Sequence, residues 1–408
     1  MAAPAPNSQQ EMRQRNLARV LYAVAAAGRT GPVSRAAVAA RIGLTRAAVS
    51  TLVEELVRAG FLVELGPGRS GGVGRPGNAL ALTDLGPCGI GAEVGVEHLA
   101  VCAVDLRGQV RAGRREETSD REGDPASVLR LLGVLVDRVV ADAGAAGLRP
   151  AGLAVAVPGL VARGTSTVVR APNLGWHDTD LAAHLPGSLP LTVENEANFG
   201  ALAELWLGEE GTAPRDFIHV SAEVGIGAAI VLDGELLRGR RGFAGELGHL
   251  PVRPEGPRCA CGGRGCLEQY AGEAALLRAA GVDTGTGTGG TGTGGRSAAL
   301  AMLRTRAEAG DTACLEALHR AGEALGIALA GAVNLLDPQT VLLGGALATL
   351  APWLMPALEQ ELQQRTAAPG PVPQLAVSAI GSQGPLLGAA HSVVRKVMND
   401  PLSYTATR

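Results

Sequence analysis

Residues 245–268 read GELGHLPVRPEGPRCACGGRGCLE and place three cysteines and a histidine in one glycine-rich loop. Cys259, Cys261 and Cys266 offer three thiolates, and His249 offers an imidazole. Together they make the four-coordinate Cys3His set of a closed structural zinc site, which has no open position for catalysis. A disulfide with one spare thiol is the alternative, but three clustered cysteines leave one unpaired and Cys259 lies too close to Cys261 for easy bridging. The loop therefore predicts one bound zinc ion.

Two carboxylates flank the loop, Glu246 three residues before His249 and Glu268 two residues after Cys266. GELGH followed by C-x-C-G-x-x-G-C-x-E closely resembles the signature of the ROK group, named for repressors, open reading frames and kinases. Members of that family bind sugars on a two-lobed actin-like or hexokinase-like α/β fold. The resemblance implies that His249 both ligates zinc and contacts the sugar, and that Glu246 and Glu268 contact sugar hydroxyls.

The composition is that of a multidomain protein with more than one core. The chain has 408 residues and is 46% hydrophobic, a length that usually gives two or three domains. Its net charge of −3 excludes no class of partner. No apolar run approaches the length of a membrane span, and the N-terminus lacks the basic-then-apolar layout of a secretory signal. We therefore expect a cytoplasmic protein without a membrane partner.

The charge is unevenly distributed along the chain. Residues 1–86 contain ten arginines and five acidic residues, so this segment is basic while the remainder is acidic. A basic N-terminal segment on an acidic body indicates a polyanionic partner for that segment.

The basic segment has the pattern of a winged helix-turn-helix domain. A helix is predicted over 16–27, a second is capped by Ser34, and a third is capped by Thr45 and runs through Val57. Strands are predicted at 61–65 and 78–83, with the loop GPGRSGGVGRPG between them. We therefore predict an α+β winged helix-turn-helix domain over residues 1–86. A small helical dimerisation domain with solvated arginines is the alternative.

The third helix predicts which residues read DNA. Helical spacing turns its apolar side chains toward the core and leaves its N-terminal end for a major groove. The candidate DNA contacts are Thr45, Arg46 and Ser50 on this helix, with Arg69 and Arg75 on the wing. The segment resembles the DNA-binding part of the xylose and N-acetylglucosamine repressor branch of the ROK family. The resemblance implies a double-stranded operator as partner.

Residues 87–408 form the predicted sugar-binding body. Strands and helices alternate, and strand, turn, strand patterns open both halves, which resembles the duplicated lobes of the actin-like kinases. A short joint is predicted near residues 86–89. The Gly/Thr run at 284–295 predicts a flexible surface loop. Cys88, Cys102 and Cys314 stand alone in apolar settings and are predicted core residues.

Three departures from the family's kinases bear on catalysis. Residues 93–97 read EVGVE where the kinases have Asp-x-Gly-Gly-Thr, and 223–227 read EVGIG where they have Gly-Thr-Gly-x-Gly. Glu97 and Glu223 thus place negative charge where polyphosphate oxygens would lie. Glu196 follows Asn195 where the kinases have the general base Asp, and one extra methylene shifts the carboxylate by about 1 Å. We expect sugar recognition without phosphoryl transfer, and therefore no enzyme activity.

The sequence thus predicts a sugar-responsive transcriptional repressor. Its effector is a sugar or a phosphosugar, and it acts as a homodimer or homotetramer on operator DNA. The predicted sugar contacts are Asn173, Asn195, Glu196, Glu246, His249 and Glu268. For Asn173, in the stretch APNLGW, an Asn and Gly turn is nearly as good an explanation. The alternative function is an ATP-dependent ROK sugar kinase with an appended regulatory head.

Overall fold

The computed structural model describes residues 9–28, 31–67, 78–118, 124–185, 187–208, 214–282 and 295–404. Arg69 and Arg75 lie outside the described residues, as does the predicted Gly/Thr loop except for Gly295.

The N-terminal head contains three helices and a small sheet. Its elements are α1 (Gln9–Gly28), β1 (Val33–Ser34), α2 (Arg35–Ile42), α3 (Arg46–Arg58), β2 (Leu62–Pro67) and β3 (Asn78–Leu82). The strands pair antiparallel in the order β1-β3-β2. Both predicted caps are confirmed, since the Ser34 side chain accepts a hydrogen bond from the Ala37 N–H and Thr45 accepts one from Ala48.

The apolar face of α3 forms the centre of the head. Val49, Leu52, Val53 and Leu56 are buried at helical spacing, as the sequence predicts. The opposite face, at the start of the helix, stays accessible. The head is therefore a winged helix-turn-helix domain that presents the N-terminal end of α3.

The first lobe of the body is built on a five-stranded sheet of order β11-β7-β4-β5-β6. Its elements are β4 (Gly86–Val94), β5 (His98–Asp105), β6 (Val110–Glu117), α4 (Pro125–Ala145), β7 (Leu148–Val157), β8 (Leu160–Val161), β9 (Thr167–Ala171), β10 (Trp176–Asp180), β11 (Leu191–Asn195) and α5 (Glu196–Leu207). β4 and β5 form the predicted hairpin, and β11, β7 and β4 run parallel. A three-stranded sheet of β10, β9 and β8 extends this lobe.

The second lobe repeats this architecture with the strand order β14-β13-β12-β15-β16. Its elements are β12 (Phe217–Ala222), β13 (Ile226–Leu232), β14 (Glu235–Leu236), α6 (Glu268–Ala271), α7 (Glu273–Ala279), α8 (Gly295–Glu308), α9 (Thr312–Leu336), β15 (Thr340–Gly344), α10 (Gly345–Arg365), β16 (Gln374–Val377) and α11 (Gly384–Asn399). β12 and β13 again form a hairpin.

The body is a stack of five layers. α4 covers the outer face of the first sheet, and α10 with α9 covers the outer face of the second. α5 and α11 lie between the two sheets and contact both each other and the strands on either side. The cleft between the lobes therefore opens at one end of this central helix layer.

The joint predicted near residues 86–89 is wrong, because β4 begins at Gly86. Its strand pairing draws Cys88 into the core, where it is fully buried between β5 and β7. Only residues 83–85 separate β3 from β4. Head and body also share a hydrophobic cluster that runs from α1 and β3 through β5 to α11. The other isolated cysteines, Cys102 and Cys314, are buried as predicted.

In the described part of the chain, no helix is by itself long and apolar enough to cross a membrane. Only α2 together with α3, bent by 114° at their junction, has the length and hydropathy required.

Candidate functional site

The four predicted metal ligands converge in the structure. The ligand atoms of His249, Cys259, Cys261 and Cys266 all lie within 4.8 Å of one another. Cys259 Sγ is 3.7 Å from His249 Nδ1, and Cys261 Sγ is 3.7 Å from Cys266 Sγ. A tetrahedral site with ligands at 2.3 Å requires edges of about 3.8 Å. All six cysteines of the chain are free thiols, so this cluster is able to hold a metal ion and forms no disulfide.

Glycines shape the metal loop. Gly265 adopts a φ of +65°, and its backbone lies so close to the Arg253 carbonyl that a side chain would collide with it. The Gly263 N–H donates a hydrogen bond to Cys261 Sγ at 3.4 Å. Only glycine combines this conformation with this close approach, which explains the glycine-rich spacing of the cysteines.

His249 connects the metal cluster to the cleft. While Nδ1 faces Cys259, the other ring nitrogen, Nε2, lies 3.8 Å from Glu246 Oε2. One ring nitrogen is thus available to a metal and the other to a ligand. A metal ion here would fix the ring orientation on which ligand contact depends.

All six predicted sugar contacts line one cleft. This cleft has an empty volume of about 790 Å³, part of which opens to solvent. Asn195 and Glu196 stand where β11 passes into α5, and Asn173 lies in the single turn Pro172–Leu174. Glu246, His249 and Glu268 come from the two ends of the metal loop. Among the described residues, no lysine or arginine lines the cleft, whereas four glutamates do, namely Glu196, Glu223, Glu246 and Glu268.

Asn195 has a structural function at the cleft. Its Oδ1 accepts hydrogen bonds from the Ala197 and Asn198 N–H groups, and its Nδ2 donates to the Gly159 carbonyl at 2.8 Å. Asn195 therefore caps α5 and ties it to the turn after β7. This cap sets the position of Glu196, the first residue of the helix.

A cluster of buried glutamates lies beside the cleft. Glu93, the next-to-last residue of β4, is almost fully buried, and Glu223 lies in the turn between β12 and β13. Burial, followed by repulsion from Glu93, raises the pKa of Glu223 to about 7. Burial also raises the pKa of Glu196 well above its usual value, and Glu223 and Glu93 add to the effect. The negative charge of each carboxylate opposes the ionisation of its neighbours.

Basic side chains near this cluster contact carboxylates. Arg296 of α8 donates to Glu273 at 3.0 Å and lies 3.9 Å from Glu97 Oε1, which joins the second lobe to the turn between β4 and β5. His98 Nε2 is 3.5 Å from Glu93. No local pattern in the sequence indicates the contact of Arg296 with Glu97, because α8 and the turn between β4 and β5 are far apart in the chain. A polyphosphate would have to displace these pairs and meet the remaining negative charge.

The N-terminal end of α3 is accessible. Thr45 and Arg46 are exposed and Ser50 is half-buried, all on the solvent side of the start of α3. These side chains are able to enter a groove together, whereas the predicted wing contacts Arg69 and Arg75 lie outside the described residues.

Family comparisons match both parts of the chain. The ROK family model matches residues 89–396, and the MarR family model matches residues 15–75. The chain is 32% identical over 342 residues to a xylose repressor of Caldicellulosiruptor bescii, an alignment that covers 82% of this chain and 84% of the relative.

Solved structures match the same architecture. A ROK family transcriptional regulator described as a homolog of the E. coli MLC protein superposes with a TM-score of 0.75 at 26% identity, covering 96% of this chain and 98% of that one. A ROK family glucokinase from Streptomyces griseus, solved with glucose and AMPPNP, has a TM-score of 0.62 at 26% identity and covers 75% of this chain and 98% of its own.

Proposed function

The chain belongs to the ROK family, and on this premise we propose that it is a sugar-responsive transcriptional repressor without kinase activity. One observation carries the proposal: a winged helix head is joined in one chain to a sugar-binding body whose phosphate turns carry Glu97 and Glu223. The similar xylose repressor aligns over 84% of its own length and 82% of this chain, and the MarR family model matches residues 15–75 of this chain. The alignment with the glucokinase leaves a quarter of this chain unmatched.

The effector site is the cleft between the lobes. Asn173, Asn195, Glu196, Glu246, His249 and Glu268 supply the hydrogen-bonding groups for a polyhydroxylated ligand. Carboxylates and an imidazole suit hydroxyl donors and acceptors. A free sugar suits the cleft better than a phosphosugar, since no described lysine or arginine lines it and a phosphate would approach Glu196 and Glu223.

Phosphoryl transfer requires approach of a polyphosphate, neutralisation of its charge and removal of a proton from the sugar. Glu97 and Glu223 oppose the first two requirements, and Arg296 is held by Glu273 and Glu97. Glu196 stands at the base position with a raised pKa and a longer side chain than Asp. The three effects act on different requirements, so their penalties compound.

We propose zinc as the ion of the Cys3His cluster, because three thiolates and one imidazole in tetrahedral spacing are its preferred ligands. The zinc supplies structural stability to the loop that carries Glu246, His249 and Glu268. Loss of the ion would disorder the ligand contacts as well as the loop.

Residues 1–86 are the proposed DNA-binding domain and residues 87–408 the sugar-binding domain. Thr45, Arg46 and Ser50 would contact base edges, with Arg69 and Arg75 on phosphates or in a minor groove. A single winged helix covers little DNA, so we propose a homodimer or homotetramer on an operator with two related halves. Such a regulator would act in the cytoplasm, where the chromosome lies.

The test uses the full chain and a pool of random duplexes. Retained duplexes are sequenced, and their affinity is then measured with D-xylose, D-glucose and N-acetyl-D-glucosamine. The proposal requires selective retention and a change in affinity with at least one sugar of an extended panel. ATP-dependent turnover of a sugar with no selective duplex retention would favour the kinase alternative.

A further inference from the structure

We propose that Arg395 is the positioning residue that couples the sugar cleft to the DNA-binding head, through simultaneous contact with Trp206 of the body and Tyr22 of the head. The Arg395 guanidinium lies 4.9 Å from the centre of the Trp206 ring and 5.2 Å from that of the Tyr22 ring. Only 2% of this chain is aromatic, so two aromatic contacts on one arginine are a notable concentration.

The coupling begins at the N-terminus of α5, which lies at the cleft. Asn195 caps this helix and Glu196 is its first residue, so groups that would contact the ligand are fixed to α5. Trp206 lies near the opposite end of the same helix. A rigid helix from Glu196 to Trp206 spans about 15 Å. A change in position or tilt at the cleft therefore moves the Trp206 ring.

The second step is the close packing of α5 against α11. A side chain at Gly388 would collide with the Phe199 carbonyl, and one at Gly384 would touch Gly200. On its other side α11 lies equally close to β4, since a side chain at Gly91 would collide with the backbone at Ala390. With backbones this close on two sides, α11 has little room to shift independently of α5 and β4.

In the third step, one face of α11 connects its contact with α5 to its contact with the head. Gly384, Gly388, Arg395 and Asn399 recur at helical spacing and share one face. The face begins with Gly384, which lines a cavity together with Glu196, and finishes about 22 Å away at the head. There Tyr22 donates its hydroxyl hydrogen bond to Asn399 Oδ1 at 2.8 Å, beside the Arg395 contact.

These contacts end on α1, which supports α3, the helix proposed to contact DNA. Tyr22 belongs to α1, which packs against α2 and α3 in the core of the head. A planar guanidinium that contacts both rings links the position of α1 to that of α5. The direction in which a sugar drives this link rests on the proposed function, but the link itself does not.

The experiment measures amide hydrogen exchange of α1 in the full chain, without sugar or DNA. Trp206→Leu is compared in the natural background and in Arg395→Ala. We expect Trp206→Leu to speed exchange over residues 17–24 by about 2- to 30-fold in the natural background. In the Arg395→Ala background it adds no further change. Trp353→Leu, on α10, and Arg320→Ala, on the exposed face of α9, are the matched controls and leave α1 exchange unchanged.

Two outcomes overturn the inference: no change in α1 exchange with Trp206→Leu, or an equal change in both backgrounds. If Trp206→Leu does not fold, Trp206→Phe takes its place and the same comparison is made. Arg395→Lys adds a specific readout, because it keeps the charge but not the planar double contact, and we expect it to restore only part of the coupling.

A second arm separates this inference from the proposed function. The selected duplex is titrated with D-xylose, D-glucose and N-acetyl-D-glucosamine, using the natural chain and Arg395→Ala. We expect the sugar-dependent change in DNA affinity to shrink about 2- to 30-fold in the variant. An undiminished sugar effect in Arg395→Ala overturns the inference. Absence of any sugar effect in the natural chain, with the exchange result intact, counts against the proposed function alone.

Discussion

The carboxylate of Glu268 lies where a side chain on residue 225 would stand, so Gly225 and Glu268 are in direct contact across the second lobe. Gly225 lies in the turn between β12 and β13, and Glu268 begins α6 directly after the metal loop. Only a residue without a side chain allows the turn to approach the carboxylate this closely. The contact joins the turn between β12 and β13 to the proposed sugar site.

Gly225→Ala should displace Glu268 and weaken sugar binding. The new methyl group has no free space, so the carboxylate or the turn must shift, and loss of one hydrogen bond to a charged group lowers affinity roughly 10- to 150-fold. Sugar affinity is measured by calorimetry. Gly144→Ala, on α4 with nothing within 4 Å of the added methyl, is the matched control. Unchanged sugar affinity in Gly225→Ala would remove Glu268 from the binding site.

Purified protein should contain one zinc per chain, and Cys261→Ser should lose it. Elemental analysis of both proteins measures the metal, and a sugar-induced shift in melting temperature measures the ligand response. Because the metal loop carries Glu246, His249 and Glu268, the variant should lose that response together with the zinc. Cys314→Ala, at a buried thiol outside the loop, should keep both. Full zinc content in Cys261→Ser would contradict the assignment.

Arg46→Ala should weaken binding to the selected duplex by about 5- to 150-fold, the range expected for loss of one base contact. The same substitution should relax sequence preference at one position of each half-site. Arg58→Ala, at the end of the same helix, removes an equal charge away from the reading end and serves as control. Equal losses for both variants would indicate charge attraction without base reading. Arg69→Ala and Arg75→Ala should act more uniformly and reduce the salt dependence of binding.

The protein should show no ATP-dependent phosphorylation of hexoses, pentoses or amino sugars in a coupled assay with magnesium. Glu196→Asp should not restore activity, because Glu97 and Glu223 remain at the phosphate turns. Steady turnover at roughly 1 to 100 per second, the ordinary range for kinases, would establish the kinase alternative.

The stability of the protein should fall as the pH rises from about 4.5 to 7 through the contribution of Glu223. Its pKa is raised from 4.5 to about 7 in the folded state, so the folded protein holds a proton that the unfolded chain releases earlier. Glu223→Gln removes this penalty, which is on the order of 3 kcal/mol above pH 7. Melting temperatures of the variant and the natural chain should converge near pH 4.5 and separate above pH 7. A constant difference across this window would contradict the assigned pKa.

Local patterns predicted much of the fold and of the site. The caps at Ser34 and Thr45 and the buried face of α3 follow from helical spacing, and the structure confirms them. The metal ligands follow from the donor types within one short loop, and the structure brings them together. Such features depend on residues that are close together in the sequence, so the sequence alone indicates them.

Long-range contacts gave no such signal. Arg296 meets Glu97 only because α8 of one lobe packs beside a hairpin turn of the other. Asn195 was predicted as a sugar contact, yet its amide also caps α5 and holds Gly159, a use that depends on the fold of β7 and β11. The joint was misplaced at residues 86–89 because glycines in a buried strand resemble a linker, whereas Gly89 and Gly91 are small to admit α11.

The hydrophobic cluster shared by the head and the body has a practical consequence for engineering. Leu82 of β3, Val104 of β5 and Val394 of α11 belong to one continuous apolar core. A head taken from another regulator would pack against non-matching side chains at this shared core. Cutting the chain after residue 86 would expose the apolar surface of the core to water. Chimeric sensors that exchange operator specificity therefore need the facing residues of α11 and β5 to travel with the head.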